Sequence, residues 1–188
     1  MAKKALFILA DGFEETEAIL PIDILNRTGV EVTTATLGDD ASAPVAAAHG
    51  TRHLASTTLD EALARPDGFD AIVLPGGMPG TVNLRNDSRV AAALRNACAA
   101  GKLVAAICAA PTVLAAAGIL RGRRFTCYPG CEEGISGAAY CADEATVRDG
   151  CVLTSRGPGT AAAFGFALAA ALAGDSAAIA VGKAMLFH

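Results

Sequence analysis

No tryptophan occurs among the 188 residues, and tyrosine occurs only twice. The chain therefore lacks the aromatic surface on which single-stranded bases stack. Charge is also scarce: charged residues make up 18%, the net charge is −4, and there is no basic block. That pattern argues against a face that tracks nucleic-acid phosphates. Histidine occurs three times (His49, His53, His188), C-x-x-C is absent, and no cysteine stands at zinc-site spacing from a histidine, so no metal is expected. Neither G-x-G-x-x-G after the first strand nor G-K-[ST] is present, which removes the dinucleotide and P-loop fingerprints. No cofactor is expected. Long apolar runs are missing too. The stretch 161–173 is mostly alanine and too short to span a bilayer. The run 5–10, behind two lysines, is too short for a secretory core and is followed at once by acids. A cytoplasmic protein with no membrane association is expected.

What is present is enough apolar material, 53% of residues, to fill the core of one domain over 1–188. With an ample core and no export signal, the six cysteines are expected as free thiols. Cys98, Cys141 and Cys151 are read as packing residues. Cys127 and Cys131 flank Tyr128-Pro129-Gly130, but C-x-x-x-C has no specific mechanism behind it, and a redox pair there is the lesser reading.

Short apolar runs alternate with helical stretches. Strands are predicted at 4–10, 30–37, 69–74, 103–107, 125–128 and 147–154, the last with a turn at Asp149-Gly150, and a short edge segment at 53–58. Helices are predicted at 14–27, 59–64, 88–100, 111–117, 161–172 and 177–187, with a loop at 38–48. Gly118 stands in a C-cap position. Near-continuous apolar strands between helices indicate a mostly parallel sheet covered on both faces, an α/β three-layer sandwich. In such sheets, sites form at the carboxyl ends of strands.

Motifs fall at those ends. In Ala105-Ala106-Ile107-Cys108-Ala109-Ala110-Pro111 a buried strand runs straight into a cysteine and a helix begins directly after it, the layout of a nucleophile elbow. The free N–H groups and positive dipole end of that helix favour a thiolate, and the same amides can hold an oxyanion. The bland alternative is a small buried hydrophobe. In Asp11-Gly12-Phe13-Glu14-Glu15-Thr16-Glu17-Ala18, Glu14 and Glu15 suit ordinary solvated complementation of a helix dipole. Glu17 adjoins an apolar run and can turn inward, where burial beside sulfur raises its pKa and makes it a proton donor. Leu74-Pro75-Gly76-Gly77-Met78-Pro79-Gly80 offers tandem glycines for close backbone approach and an anion-binding concavity, or simply a tight connection. In Thr154-Ser155-Arg156-Gly157-Pro158-Gly159-Thr160, Thr160 is a candidate N-cap, and Pro158 either walls a pocket or makes a turn.

Taken together and in this order, DGFEETEA, VLPGG, AAICAAP and TSRGPGT resemble the DJ-1/PfpI (ThiJ) family, in its DJ-1-like branch, over residues 4 to about 172. The resemblance implies a flavodoxin-like sandwich and a homodimer. It implies a reactive Cys108, a protonated Glu17, and stabilising amides at Gly76, Gly77 and Ala109. Tyr128 stands where the best-known members have a pocket histidine, and His49 replaces a basic residue that the partner contributes. Arg27 is retained, at the site or the dimer interface. Ala109 departs from the protease-like branch, which has histidine there, and the His-x-Glu of class I glutamine amidotransferases is absent, so neither activity is expected. The family's activities imply a small aldehyde or dicarbonyl substrate, or early glycation adducts, handled as a hemithioacetal on Cys108 by a glyoxalase or deglycase without cofactor. The competing implication is a redox sensor or chaperone whose Cys108 oxidises to a sulfinate.

Overall fold

The computed structural model describes residues 2–65 and 68–187; His188 lies outside them. In chain order the elements are β1 (Lys4–Leu9), α1 (Glu15–Arg27), β2 (Glu31–Thr36), β3 (Val45–Ala46), β4 (Arg52–His53), β5 (Thr57–Thr58), α2 (Leu59–Leu63), β6 (Ala71–Leu74), α3 (Gly80–Asn86), α4 (Ser88–Ala99), β7 (Leu103–Ile107), α5 (Pro111–Ala116), β8 (Arg124–Phe125), β9 (Ala139–Tyr140), β10 (Thr146–Asp149) and β11 (Val152–Ser155). A 3-10 turn at Pro158–Thr160 leads into α6 (Ala161–Ala173) and α7 (Asp175–Ala184).

Seven strands form the central sheet in the order β10-β11-β7-β6-β1-β2-β5. All neighbours are parallel except the β10–β11 hairpin. After β1 the chain moves to one side for β2 and later returns to the other side for β6. The crevice beyond the carboxyl ends of β1 and β6 is thus the topological switch point, where open α/β sheets place ligands. The architecture is the flavodoxin-like sandwich expected.

Period-two alternation along the buried strands feeds two separate cores. Leu6, Ile8, Ile72, Leu74, Val104 and Ala106 face one way, with Leu94 of α4 and Val113 and Leu114 of α5. Ala5, Phe7, Ala71, Val73, Ala105 and Ile107 face the other, with Ile24 and Leu25 of α1 and Phe164 and Leu168 of α6. Both faces are covered, which is why these strands read as unbroken apolar runs. Full burial of a side chain such as Phe164 contributes about 2–3 kcal/mol. The alanine bias of α6 has a packing reason: at Gly165 an added Cβ would stand 2.6 Å from Ile24 Cδ1 and 3.1 Å from Pro21 Cα, so α1 and α6 approach backbone to backbone.

The structure differs from the sequence reading in several places. The segment 147–154 is not one strand but the hairpin of β10 and β11. The segment 125–128 contributes only Phe125, through β8, which pairs with β9 outside the main sheet. A helix, α3, follows the double-glycine loop and went unpredicted because glycine and proline open it. The 38–48 loop ends in β3, which pairs with β4. Cys98 and Cys151, read as packing thiols, are joined in a disulfide; residues 53 apart meet only through the fold. Cys127 and Cys131 are free.

Gly165→Val puts branched bulk against the immobile Pro21 backbone and lowers stability by roughly 1–3 kcal/mol. Urea unfolding midpoints of the variant against the parent measure it.

Candidate active site

Three backbone loops converge at the switch point. The loop after β1 turns at Gly12 (φ +87°) and delivers Glu14, the N-cap of α1, whose carboxylate Oε2 accepts from the Glu17 N–H at 2.7 Å. The loop after β6 passes so close that Glu14 N–H donates to Gly76 O at 3.0 Å. An added Cβ on Gly77 (φ +89°) would stand 2.5 Å from Glu14 N and would collide with Gly12 O. The tandem glycines are required by that crossing of two main chains.

The third loop is the elbow. Cys108, the residue after β7, has φ +66°, a conformation non-glycine residues adopt only when their surroundings enforce it. Its N–H donates to Ser155 O (3.0 Å), its carbonyl accepts from Tyr128 N–H (2.9 Å), and Ala110 N–H returns to Ile107 O (3.0 Å). The strained turn lifts the half-buried side chain off the strand's end. The sulfur accepts from the backbone N–H groups of Ala109 and Gly77.

Glu17, on the first turn of α1, is fully buried. Its Oε2 accepts from Gly76 N–H at 2.9 Å, and its carboxyl is in hydrogen-bonding contact with Cys108. Oε1 has no oxygen or nitrogen partner and faces Gly157, where an added Cβ would sit 3.9 Å from it and 3.3 Å from the Tyr128 ring. Burial raises Glu17 to about 7, against the lowering by Cys108 and the Gly76 amide.

The sequence reading of Cys108 as a thiolate eased by its amides is corrected by its surroundings. Burial, then the Glu17 charge and hydrogen bond, push the thiol up to about 12, against the pull of the Ala109 and Gly77 amides. Sulfur and carboxyl form one titrating pair. Both are protonated in acid, and above about pH 7 the pair keeps one proton. The sulfur is then anionic only when that proton resides on Glu17.

Other candidates are placed as follows. Gly77 and Ala109 present their amides to the sulfur, whereas the Gly76 amide is committed to Glu17 and is not free as an oxyanion donor. Tyr128 stands beside the site, 51% exposed, and Pro158 is exposed next to Gly157. Arg27 stands at the far end of α1 from Glu17 within this chain. It lies about 15 Å along α1 from Glu17 and pairs with Asp23 (2.9 Å). Glu14 and Glu15 are not solvated ornaments: Glu14 is the buried cap, and Glu15 accepts from His49 N–H (3.0 Å) and Thr51 Oγ1 (3.1 Å). Burial opposes those bonds, yet together with its own amide they hold Glu15 at about 2. Thr160 gives α6 no side-chain cap; its hydroxyl ties the Gly157 loop, bonding Gly157 O (3.0 Å) and Ser155 Oγ (2.7 Å). Gly157 was missed. Its signal was a glycine two residues past the end of β11, masked by the proline that follows. Burial keeps Cys127 protonated, up to about 12, which removes it from thiolate chemistry.

Among the described residues no helix is long and apolar enough to cross a membrane. Compared with known proteins, residues 3–171 match the model of the DJ-1/PfpI family. The protein dj-1beta of Drosophila melanogaster is 41% identical over 187 residues, spanning 99% of this chain and 98% of that one; its crystal structure superimposes with a TM-score of 0.94 at 40% identity, covering both chains fully. A deglycase of Pyrococcus horikoshii is 38% identical over 157 residues, 82% of this chain and 90% of that one. A solved structure titled Toxoplasma gondii DJ-1, oxidized, has a TM-score of 0.89 at 31% identity over 99% of each chain.

Because the folded state raises the Glu17 pKa from 4.5 to about 7, the buried neutral carboxyl is tolerated below pH 4.5, and the stability it contributes is lost as pH rises through 7. Relative to Glu17→Gln, the parent therefore loses up to about 3 kcal/mol across that window. Urea unfolding of both proteins at pH 4.5, 6 and 8 measures the difference, and parallel profiles would show that Glu17 is not raised.

Proposed function

We propose, from the premise that this chain belongs to the DJ-1/PfpI family, that it is a cysteine-dependent enzyme acting on small reactive dicarbonyls. The observation that carries this reading is the Cys108–Glu17 pair: a nucleophile on a strained elbow in contact with a buried carboxyl that exchanges its proton near neutrality. With the shared proton on Glu17, the Cys108 thiolate adds to the aldehyde carbon of an α-ketoaldehyde. The carbonyl oxygen becomes an alkoxide and takes a proton to give a hemithioacetal. Glu17, whose buried Oε1 has no hydrogen-bond partner, gives and takes that proton.

Removal of the former aldehyde proton to an enediol, followed by its return to the neighbouring carbon, converts the hemithioacetal into a 2-hydroxythioester. Water then cleaves the thioester, releasing the hydroxy acid and restoring the thiol. The net reaction adds one water to the dicarbonyl. The oxidation of one carbon and reduction of the other balance within the substrate, so no external electron carrier is needed. The exposed Tyr128 ring packs beside the Gly157 turn next to Glu17. The same thiolate would accept glycated adducts that release a dicarbonyl, in keeping with the relative named a deglycase.

A second reading is favoured by the oxidised relative. Cys108 is then a sensor whose sulfur takes up two oxygens as a sulfinate, held by the Gly77 and Ala109 amides and by protonated Glu17.

With methylglyoxal as substrate, Cys108→Ser abolishes lactate formation. Glu17→Gln lowers it at least about 100-fold while Cys108 remains alkylable by iodoacetamide. NMR of lactate and intact mass after labelling measure the two. Wild-type turnover by Cys108→Ser would defeat the enzyme reading; addition of two oxygens to Cys108 under mild peroxide, with no lactate from the parent, would establish the sensor in its place.

A further inference from the structure

A pair of sulfurs lies away from Cys108. Cys98, in the last turn of α4, and Cys151, in the turn between β10 and β11, are disulfide-bonded with their Cα atoms 5.9 Å apart across a sequence separation of 53. The Cys151 carbonyl accepts from Val104 N–H (2.8 Å) near the start of β7, whereas Cys108 follows the end of that strand. The pair thus lies at the opposite rim of the sheet, about 13 Å along the strand from Cys108.

Two observations go beyond the pairing itself. First, the Arg123 guanidinium is fixed in place: Nε donates to Ile119 O and Nη1 to Asp149 O, both at 3.1 Å, leaving Nη2 4.0 Å from Cys98 Sγ. A cation held beside sulfur favours the thiolate. Second, Cys151 lines a cleft with Lys3, Lys102 and Arg148, in which Asp70 is the one acid. That positive opening attracts small anionic thiols.

We propose that Cys98 and Cys151 form a reversible dithiol–disulfide site, independent of Cys108, closed by hydroperoxides and opened by small anionic thiols. In closure, the Cys98 thiolate attacks a peroxide oxygen and breaks the O–O bond. Sulfur becomes a sulfenic acid, and the leaving oxygen departs as water after taking a proton. The Cys151 thiol then attacks the Cys98 sulfur, its proton leaving with the displaced hydroxide as a second water. Two thiols have lost two electrons and two protons, and hydrogen peroxide has become two waters. In opening, a small thiolate attacks the cleft-facing Cys151 sulfur and expels Cys98 as thiolate. A second small thiol frees Cys151 and leaves as its own disulfide. The closed site ties α4 to the β10–β11 hairpin and removes chain entropy from the unfolded state, raising the melting midpoint by roughly 5–10 °C.

The test uses full-length Cys108→Ser protein, reduced with dithiothreitol, desalted, exposed to limiting hydrogen peroxide, alkylated with N-ethylmaleimide and digested with trypsin. Peptides 96–102 and 149–156 are expected as a linked pair two hydrogens lighter than their sum, and glutathione separates them. Arg123→Gln slows closure roughly tenfold, and Arg123→Lys stays near the parent rate. The oxidised-minus-reduced melting difference vanishes in Cys151→Ser. Recovery of both peptides singly alkylated after peroxide would overturn the proposal, as would closure of Arg123→Gln at the parent rate or equal melting midpoints for the oxidised and reduced parent.

Discussion

Cys108 holds φ at +66°, at a cost of about 1–3 kcal/mol, and backbone hydrogen bonds, one donated to Ser155 of β11 and one accepted from Tyr128, keep it there. The site depends on that enforced turn. A relaxed extended residue at this position would continue β7 and point its side chain into one of the two cores. The elbow instead turns the sulfur toward two amides and a carboxyl. The strain is affordable because β7 sits in the middle of the sheet, buried on both faces, with β6 and β11 fixing its register.

The glycines answer the same constraint from the other side. Gly76 has no room for a Cβ, which would meet Cys108 Cβ and Glu17 Oε2 at 2.6 Å. Two loops from β1 and β6 and one from β7 occupy a crevice that ordinary side chains would prop open. Closing it dehydrates Glu17, and dehydration is the largest cause of that carboxyl's raised pKa. Packing, strain and proton affinity are thus one arrangement: the tighter the loops, the more firmly the proton resides on the pair.

The cysteines show how differently one side chain behaves in different surroundings. Cys127 is sealed in the core and protonated; Cys108 is half-buried beside an acid; Cys98 meets Cys151 beside a guanidinium at the far rim. Composition treats all of them alike. Location relative to charge and backbone amides decides which can ionise.

The sequence by itself determined the layered α/β class, because two-sided burial writes itself as unbroken apolar strands. It also marked the three loops at strand ends, because an elbow needs small neighbours and a backbone crossing needs glycine. Those are local demands, legible over a few residues. Tertiary structure alone decided the rest. Cys98 and Cys151 were indistinguishable from packing residues until α4 and a hairpin turn met. The helix position of Cys108 favours ionisation, yet burial, and then a carboxyl 91 positions earlier in the chain, push its thiol the other way. Proton affinity and sulfur pairing are set by what surrounds a group in space, and the sequence does not record those distances.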